Sequence, residues 1–119
     1  MKTVYIASPY TNEDSALVLQ NVTAAMNIAE ELFNSGFIPF MPLLNHYYET
    51  FHFHRSWKDW MDYDLTWLSK CDYVLRLPGK SKGADIEVKK AQELYIPVLY
   101  SIEDLIKYEI VLKTRLGTL

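Results

Sequence analysis

The chain lacks the features that mark several specialised protein classes. Its single cysteine, Cys71, excludes an intrachain disulfide and favours a reducing compartment. No apolar run approaches the ~20 residues that a membrane-spanning helix needs. Lys and Arg number 12 against 15 Asp and Glu, so there is no excess of positive charge to hold a nucleic-acid polymer. These absences predict a cytoplasmic protein that binds neither a membrane nor a nucleic-acid polymer.

Glycine and proline are also scarce, at four and five residues, and they separate segments with clear periodicity. A length of 119 residues predicts a single domain, residues 1–119. Short β-prone runs at 3–7, 37–41, 72–77 and 96–100 alternate with helical runs at 14–35, 56–70, 84–95 and 101–116. Asn12 or Asp14 is the expected N-cap of the first helix, and Gly36 is its expected C-terminal glycine. Residues 45–55 are rich in aromatic residues and histidine, show no clear period, and are predicted to form a loop.

Alternating strands and helices predict an α/β fold. We expect a doubly wound parallel sheet of the flavodoxin or Rossmann type, with four to five strands in the order 2-1-3-4 and helices on both faces. In such sheets ligands bind at the carboxyl ends of the strands, where the strand order reverses. The predicted binding cleft therefore lies between the first and third strands, at the loops formed by residues 8–10 and 78–83.

Two acidic residues occupy apolar helical stripes. Asp64 lies on the stripe formed by Trp57, Trp60, Met61 and Leu68, and Glu87 lies on the stripe formed by Ala84, Val88, Ala91, Leu94 and Tyr95. Burying a carboxylate is costly unless it is paired or hydrogen-bonded, and such exceptions tend to occur at functional sites. We expect the two acids to face a shared pocket, although each carboxylate capping nearby backbone N–H groups remains an alternative.

The loop before Glu87 is a candidate phosphate site. Residues 79–81 resemble the end of a P-loop, but Val74 stands where that motif needs glycine, so an ATPase is excluded. Residues 81–83 open a helix with a hydroxyl, backbone N–H groups and neighbouring lysines, which suit one phosphate. An ordinary turn with a helix cap is the alternative.

Aromatic residues are concentrated between positions 46 and 67. Such a cluster is typical of a base-stacking platform and also of a subunit interface. The helical spacing of the tryptophans at 57, 60 and 67 favours core or subunit contact, whereas base stacking is the interpretation for Tyr47, Tyr48 and Phe51 in the predicted loop. The histidines at 52 and 54, with His46 nearby, are weak evidence for a zinc site, which needs three or four well-placed ligands, because no cysteine accompanies them and Glu49 is their only acidic neighbour. We therefore predict neither a metal nor a cofactor. The aromatic surface also predicts a homodimer or higher homo-oligomer.

Four segments together carry a resemblance to a known family. They are KTVYIASPY at 2–10, Asp64-Leu65 followed by Cys71-Asp72, Leu77-Pro78-Gly79, and SKGADIE at 81–87. Over roughly positions 2–100 the chain resembles the nucleoside 2-deoxyribosyltransferase-like superfamily, especially its small bacterial and phage members.

The resemblance implies cleavage of the N-glycosidic bond of a small nucleoside or nucleotide. By this match Glu87 attacks the anomeric carbon of a deoxyribose, Tyr5 orients that carboxylate, and Asp64 protonates the departing base. The expected substrate-binding residues are Ser8, Tyr10, Ser81, Gly83, Tyr47 and Tyr48. The chemistry is consistent, because an oxocarbenium-like state needs one carboxylate to stabilise or capture it and a second group to protonate the leaving group.

One position separates two reactions within the resemblance. Transferases that act on free nucleosides carry a carboxylate six positions before the nucleophile, where this chain has Ser81. Enzymes that hydrolyse 2′-deoxynucleoside 5′-monophosphates have a phosphate-binding serine there, although residues 8–11 lack their glycine and arginine. Ser81 beside Lys80 and Lys82 suits a phosphate, so we expect an N-hydrolase. A nucleoside 2-deoxyribosyltransferase and a non-catalytic nucleotide-binding or assembly module are the alternatives.

Overall fold

The described residues build one parallel sheet between two layers of helices in a computed structural model of the chain. It describes residues 1–10, 15–45, 48, 51–52 and 54–117. The strands are β1 (Thr3–Ala7), β2 (Ile38–Phe40), β3 (Tyr73–Arg76) and β4 (Val98–Leu99), and the helices are α1 (Ser15–Asn34), α2 (Trp57–Leu68), α3 (Lys82–Glu93) and α4 (Ile102–Arg115). All neighbouring strands are parallel and their order is β2-β1-β3-β4. The predicted fold class and strand order are confirmed.

The core is split into two layers because successive side chains of a strand point to opposite faces of the sheet. On one face Val4, Ile6, Tyr73 and Leu75 pack with residues of α1 and α4, namely Ala25, Leu32 and Leu105. On the other face Tyr5, Ala7 and Val74 pack with Leu68, Ala84 and Ala91 of α2 and α3. Neighbouring residues of one strand therefore pack against two different layers of helices. Among the described residues, no helix combines the length and apolar character needed to cross a bilayer.

Serine caps fix the starts of three helices. The hydroxyls of Ser56, Ser81 and Ser101 each accept a hydrogen bond from the backbone N–H three residues later. Because Ser81 is the cap, α3 begins two residues before the predicted start. It ends at Glu93, two residues before Tyr95, whose φ of 58° lies outside the helical range. The Tyr95 side chain is 94% exposed. The prediction that Tyr95 lies on the buried stripe is therefore wrong.

The C-terminal end of α1 lies among the described residues, whereas its predicted N-caps do not. Gly36 has a φ of 88°, and the N–H of Phe37 bonds to the carbonyl of Leu32 at 2.9 Å, which confirms the predicted glycine stop. The expected N-caps Asn12 and Asp14 lie outside the described residues.

The segment predicted as a loop is helical at three of its six described residues. Asn45, Tyr48 and Phe51 are helical, following the 3₁₀ turn at Pro42–Leu44. Tyr48 and Phe51 are 44% and 80% exposed, so these two described aromatic residues do not mark a buried helical stripe that periodicity could reveal. The loop prediction is wrong at these three residues. Tyr47, His46 and Phe53 lie outside the described part of the chain.

Candidate active site

A buried tyrosine–glutamate pair connects β1 to the first half of α3. Tyr5 lies in β1 and is fully buried, and Glu87 lies in the second turn of α3 and is 6% exposed. The Tyr5 phenol donates a hydrogen bond to Glu87 Oε2. The pairing arises because β3 adjoins β1 and α3 follows directly on β3, which places the inward side of α3 over Tyr5. The structure thus brings together two of the three predicted catalytic residues in direct contact.

Asp64 approaches the same pair from α2. It is half-buried, and its Oδ1 atom accepts a hydrogen bond from Asn45 Nδ2 at 3.0 Å. Burial raises the pKa of Asp64 to about 7, while the bond from Asn45 acts to lower it. Asn45 was not predicted as a site residue, because it lies 19 residues from its partner and no local pattern links the two.

The two acids influence one another. Burial, the larger cause, and the charge of Asp64 raise the pKa of Glu87 to about 8, while the hydrogen bond from Tyr5 and the charge of Arg76 act to lower it. Burial, with the charges of Glu87 and Asp64, also raises the pKa of the Tyr5 phenol above its usual range, so Tyr5 stays a hydrogen-bond donor. Near neutral pH one carboxyl therefore favours holding a proton while the other ionises.

The two loops predicted to flank the cleft touch one another. Gly79 has a φ of +117°, and a Cβ atom at this position would lie 2.8 Å from Pro9 Cγ, so only glycine fits. Ser8 precedes this contact, and its Oγ atom is buried without a hydrogen-bond partner among the described residues. Tyr10 follows it and is half-buried. Ser8 and Tyr10 thus border the loop that leads to α3.

Arg76 holds the loop that leads to α3 through hydrogen bonds to its backbone. The sequence analysis did not predict this role. Its side chain is 10% exposed and donates hydrogen bonds to the carbonyls of Leu77 and Gly79, the latter at 2.9 Å. It also pairs with Asp85 Oδ1 at 3.1 Å in the first turn of α3. A basic residue at the carboxyl end of a buried strand was the available signal, since ligands bind at that edge.

Ser81 and Gly83 lie where α3 begins. The Ser81 hydroxyl accepts the N–H of Ala84 at 3.1 Å, so the capping role considered as the alternative is observed. A Cβ atom at Gly83 would lie 3.8 Å from Met61 Sδ, an ordinary contact that places α2 beside the start of α3. Lys82 Nζ lies 5.5 Å from the centroid of the Trp57 ring, which brings a cation to the same junction.

Aromatic rings line the site unevenly. The Tyr5 ring stacks on Phe40 at 5.6 Å, and Phe40 stacks on Trp67 at 5.5 Å. Trp67 is 43% exposed and therefore bridges the site to the surface rather than the core. Tyr48 stacks on His52 at 4.6 Å with nearly half of its surface exposed. Tyr47, the other predicted stacking residue, is outside the described residues.

No metal cluster accompanies these groups in the part of the chain that the structure describes, where no three His, Cys, Asp or Glu side chains converge. The site as described consists of two carboxyls, a phenol, an amide and a guanidinium.

Comparisons with known proteins place the fold. A family model described as "Domain of unknown function (DUF7768)" matches residues 2–101. The solved 2-deoxyribosyltransferase of Bacillus psychrosaccharolyticus superposes with a TM-score of 0.63 at 22% identity, over 81% of this chain and 69% of that one. The 2-deoxyribosyltransferase of Leishmania mexicana gives 0.58 at 20% identity, over 84% of this chain and 63% of that one, so less than two thirds of its length is spanned. A search of curated protein sequences finds no match. These likenesses show a shared fold.

Proposed function

We propose that this chain, which belongs to the DUF7768 family, cleaves the N-glycosidic bond of a 2′-deoxynucleoside 5′-monophosphate with Glu87 as its nucleophile. The observation that carries the proposal is the hydrogen bond from buried Tyr5 to Glu87, beside a second acid, Asp64, whose charge reaches both. The fold shared with two solved 2-deoxyribosyltransferases supports the same class of reaction.

The proposed reaction has two steps. The Glu87 carboxylate forms a bond to the anomeric carbon as the bond from that carbon to the base breaks, and the bonding electrons leave with the base. The Asp64 carboxyl gives its proton to the departing base. A water molecule then attacks the anomeric carbon, releases Glu87, and returns a proton to Asp64.

The electrostatics of the pair suit this division of roles. In the empty site the two acids hold one proton between them near neutral pH, since their pKa values are raised to about 8 and about 7. The positive charge that develops on the sugar stabilises an ionised Glu87, as do the Tyr5 hydrogen bond and the nearby charge of Arg76. The shared proton, which favours Glu87 in the empty site because its pKa is the higher of the two, then moves to Asp64, where the departing base needs it.

Three features at the start of α3 support a phosphate-bearing substrate. Ser81 uses an oxygen lone pair as the helix cap and keeps its hydroxyl proton for a ligand. The helix N-terminus favours an anion, and Lys80 and Lys82 flank the cap. These features favour an N-hydrolase acting on nucleotides over a transferase acting on free nucleosides.

Chromatography of 2′-deoxynucleoside 5′-monophosphates and the matching nucleosides, before and after incubation, tests the proposal. Free base is expected from at least one nucleotide, and Glu87→Gln is expected to lower its release by about 10³-fold or more. Glu93→Gln, at the exposed end of the same helix, is the matched control and should retain the activity. A folded parent protein that releases no base from any of these compounds would disprove the enzymatic proposal.

The alternatives give different results in the same assay. A 2-deoxyribosyltransferase, the activity named for both structural neighbours, would turn over faster with a second free base and would form a new nucleoside. A non-catalytic nucleotide-binding or assembly module would unfold at a higher temperature with nucleotide present and would leave it intact.

We also propose that the protein assembles as a homodimer or higher homo-oligomer. Trp57 and Trp67 of α2 are 55% and 43% exposed, and Tyr63 between them is 46% exposed. An aromatic surface of this kind is typical of a subunit interface. Trp57→Ala is expected to lower the molar mass measured by light scattering, and an unchanged mass would contradict this role.

A further inference from the structure

A second buried tyrosine–glutamate pair lies on the opposite face of the sheet. Tyr73 of β3 is 2% exposed and donates a hydrogen bond to Oε2 of Glu109 in α4, which is 6% exposed. The other carboxylate oxygen, Oε1, is buried and has no hydrogen-bond partner among the described residues. Lys113 Nζ forms an ion pair with Oε1 at 3.8 Å, a distance too long for a hydrogen bond. An acceptor in this state is unfavourable unless something donates to it.

Glu109 borders a cavity of about 590 Å³ at the amino ends of β1 and β2. Phe37, Ile106 and Ile110 give it apolar walls, and Lys2 and Lys113 place two cations around it. The candidate active site lies at the carboxyl ends of the strands and under the other helix layer. The cavity is therefore a separate feature of the fold, and its volume falls within the range of small-molecule sites.

We propose that this cavity binds a small organic anion that carries an N–H donor at the other end of an apolar body. The N–H group would donate to Glu109 Oε1, the buried acceptor that lacks a hydrogen bond. The anionic group would pair with Lys2 and Lys113, since the two lysines outnumber the single carboxylate around the cavity. The apolar body would contact Ile106 and Ile110.

The proposed recognition can be tested with three small aromatic compounds. 4-Aminophenylacetate has the donor, the apolar ring and the anion, phenylacetate lacks the donor, and 4-methylaniline lacks the anion. Titrations followed by the amide NMR signals of Gly36 and Ile110 are expected to saturate with 4-aminophenylacetate at millimolar concentrations, as suits so small a ligand. Each of the other two compounds should bind about fivefold more weakly, the effect of one hydrogen bond or ion pair.

Glu109→Gln tests the role of the buried oxygen. The amide carbonyl can still accept the hydrogen bond from Tyr73, and the NH₂ group then replaces Oε1 with a donor, where the ligand needs an acceptor. In this variant 4-aminophenylacetate should bind no better than phenylacetate, because the lost charge of Glu109 affects both anions alike and only the hydrogen bond distinguishes them. Glu87→Gln, which alters the other buried pair, is the matched control and should bind like the parent.

Lys113→Met gives a second test should Glu109→Gln fail to fold. Lys113 is half-exposed, and its replacement should weaken both anionic compounds while leaving 4-methylaniline unaffected. Two results would overturn the proposal. One is the absence of saturable binding of 4-aminophenylacetate to the parent, which would mean that the cavity holds only water. The other is equal binding of phenylacetate and 4-aminophenylacetate.

Discussion

The two faces of the sheet carry the same pair of side chains in different surroundings. On each face a strand tyrosine donates to a helix glutamate, and Glu87 and Glu109 are both 6% exposed. Glu87 is close to a second acid, Asp64, and lies near the loops at the carboxyl ends of the strands. Glu109 has a lysine nitrogen 3.8 Å away and lies toward the amino ends.

This difference shows which part of the arrangement points to chemistry. A buried Tyr–Glu hydrogen bond satisfies a carboxylate and holds a helix against a strand, and it does so on both faces. A second acid adds a proton that can be shared and then given to a leaving group, and Asp64 is the acid whose charge acts on Glu87. The proposed activity therefore depends on the neighbours of the pair more than on the pair itself.

Removing the second acid should make the Glu87 face resemble the Glu109 face. Asp64→Asn keeps an oxygen to accept the hydrogen bond from Asn45 but has no proton to give to the base. Base release is expected to fall by roughly 10²- to 10⁴-fold, the usual contribution of general acid catalysis. Steady-state rates on several deoxynucleotides measure the loss.

The choice of base sharpens that test. The loss should be smaller for nucleotides whose base departs easily without protonation, because Asp64 is proposed to act only on the leaving group. An equal loss for every base would contradict the assignment of Asp64 as the acid.

Removing the phenol from each pair compares the two faces directly. Tyr5→Phe and Tyr73→Phe each delete one hydrogen bond to a buried carboxylate, so each should lower the free energy of unfolding by about 1–3 kcal/mol. Only Tyr5→Phe should slow base release, by roughly 10- to 100-fold in kcat, because it leaves the nucleophile less well oriented. Urea unfolding and initial-rate assays measure the two effects. Equal rates for the two variants would show that Tyr5 has only a structural role.

The sequence analysis predicted the buried acid on one face of the sheet, Glu87, and overlooked the buried acid on the other face, Glu109. The stripe around Glu87 and the strand order together placed this acid over β1. Helical periodicity can be read from neighbouring residues, and the order of parallel strands follows general connection rules, so both could be predicted from the sequence. The same rule applied to α4 finds Glu109 on a stripe with Ile102, Leu105 and Leu112, so that signal was present in the sequence. Its partner Tyr73 lies 36 residues away, and only packing could identify it.

Asn45 and Arg76 show a different limit. Each acts through hydrogen bonds that depend on the path of a loop, and no periodicity fixes such a path. Asn45 belongs to a segment that was predicted as a loop, and its own backbone is helical. The roles of such residues become visible only when the chain is folded.

The stability of the fold should depend on pH through the two neighbouring acids, Glu87 and Asp64. The pKa of Glu87 rises from 4.5 to about 8 on folding and that of Asp64 from 3.8 to about 7, chiefly through burial. Raised carboxyl pKa values mean that the folded state binds protons more tightly than the unfolded state. The contribution of these two acids to stability should therefore be greatest below about pH 4 and should fall as the pH rises to about 8.

Glu87→Gln tests this sign because glutamine mimics the protonated acid. Its unfolding temperature should match that of the parent near pH 4 and exceed it by roughly 5–10 °C at pH 8. Glu93→Gln, at an exposed position of the same helix, should follow the parent throughout. Thermal unfolding of the three proteins across this range measures the difference, and a difference between Glu87→Gln and the parent that does not grow with pH would contradict the raised pKa of Glu87.

The smallest expected effect concerns the serine caps of the helices that carry the two glutamates. Ser81 caps α3 and Ser101 caps α4 with the same hydrogen bond of 3.1 Å, and aspartate caps a helix as well as serine does. Ser81→Asp and Ser101→Asp should therefore both fold with nearly unchanged stability. Ser81→Asp alone places a negative charge where the phosphate is proposed to bind, so KM for a deoxynucleoside 5′-monophosphate should rise about fivefold. The matching nucleoside has no phosphate to repel, and its KM should not change. A parallel rise for nucleoside and nucleotide would remove the phosphate from the proposal, because the substitution would then act on a part that both substrates share.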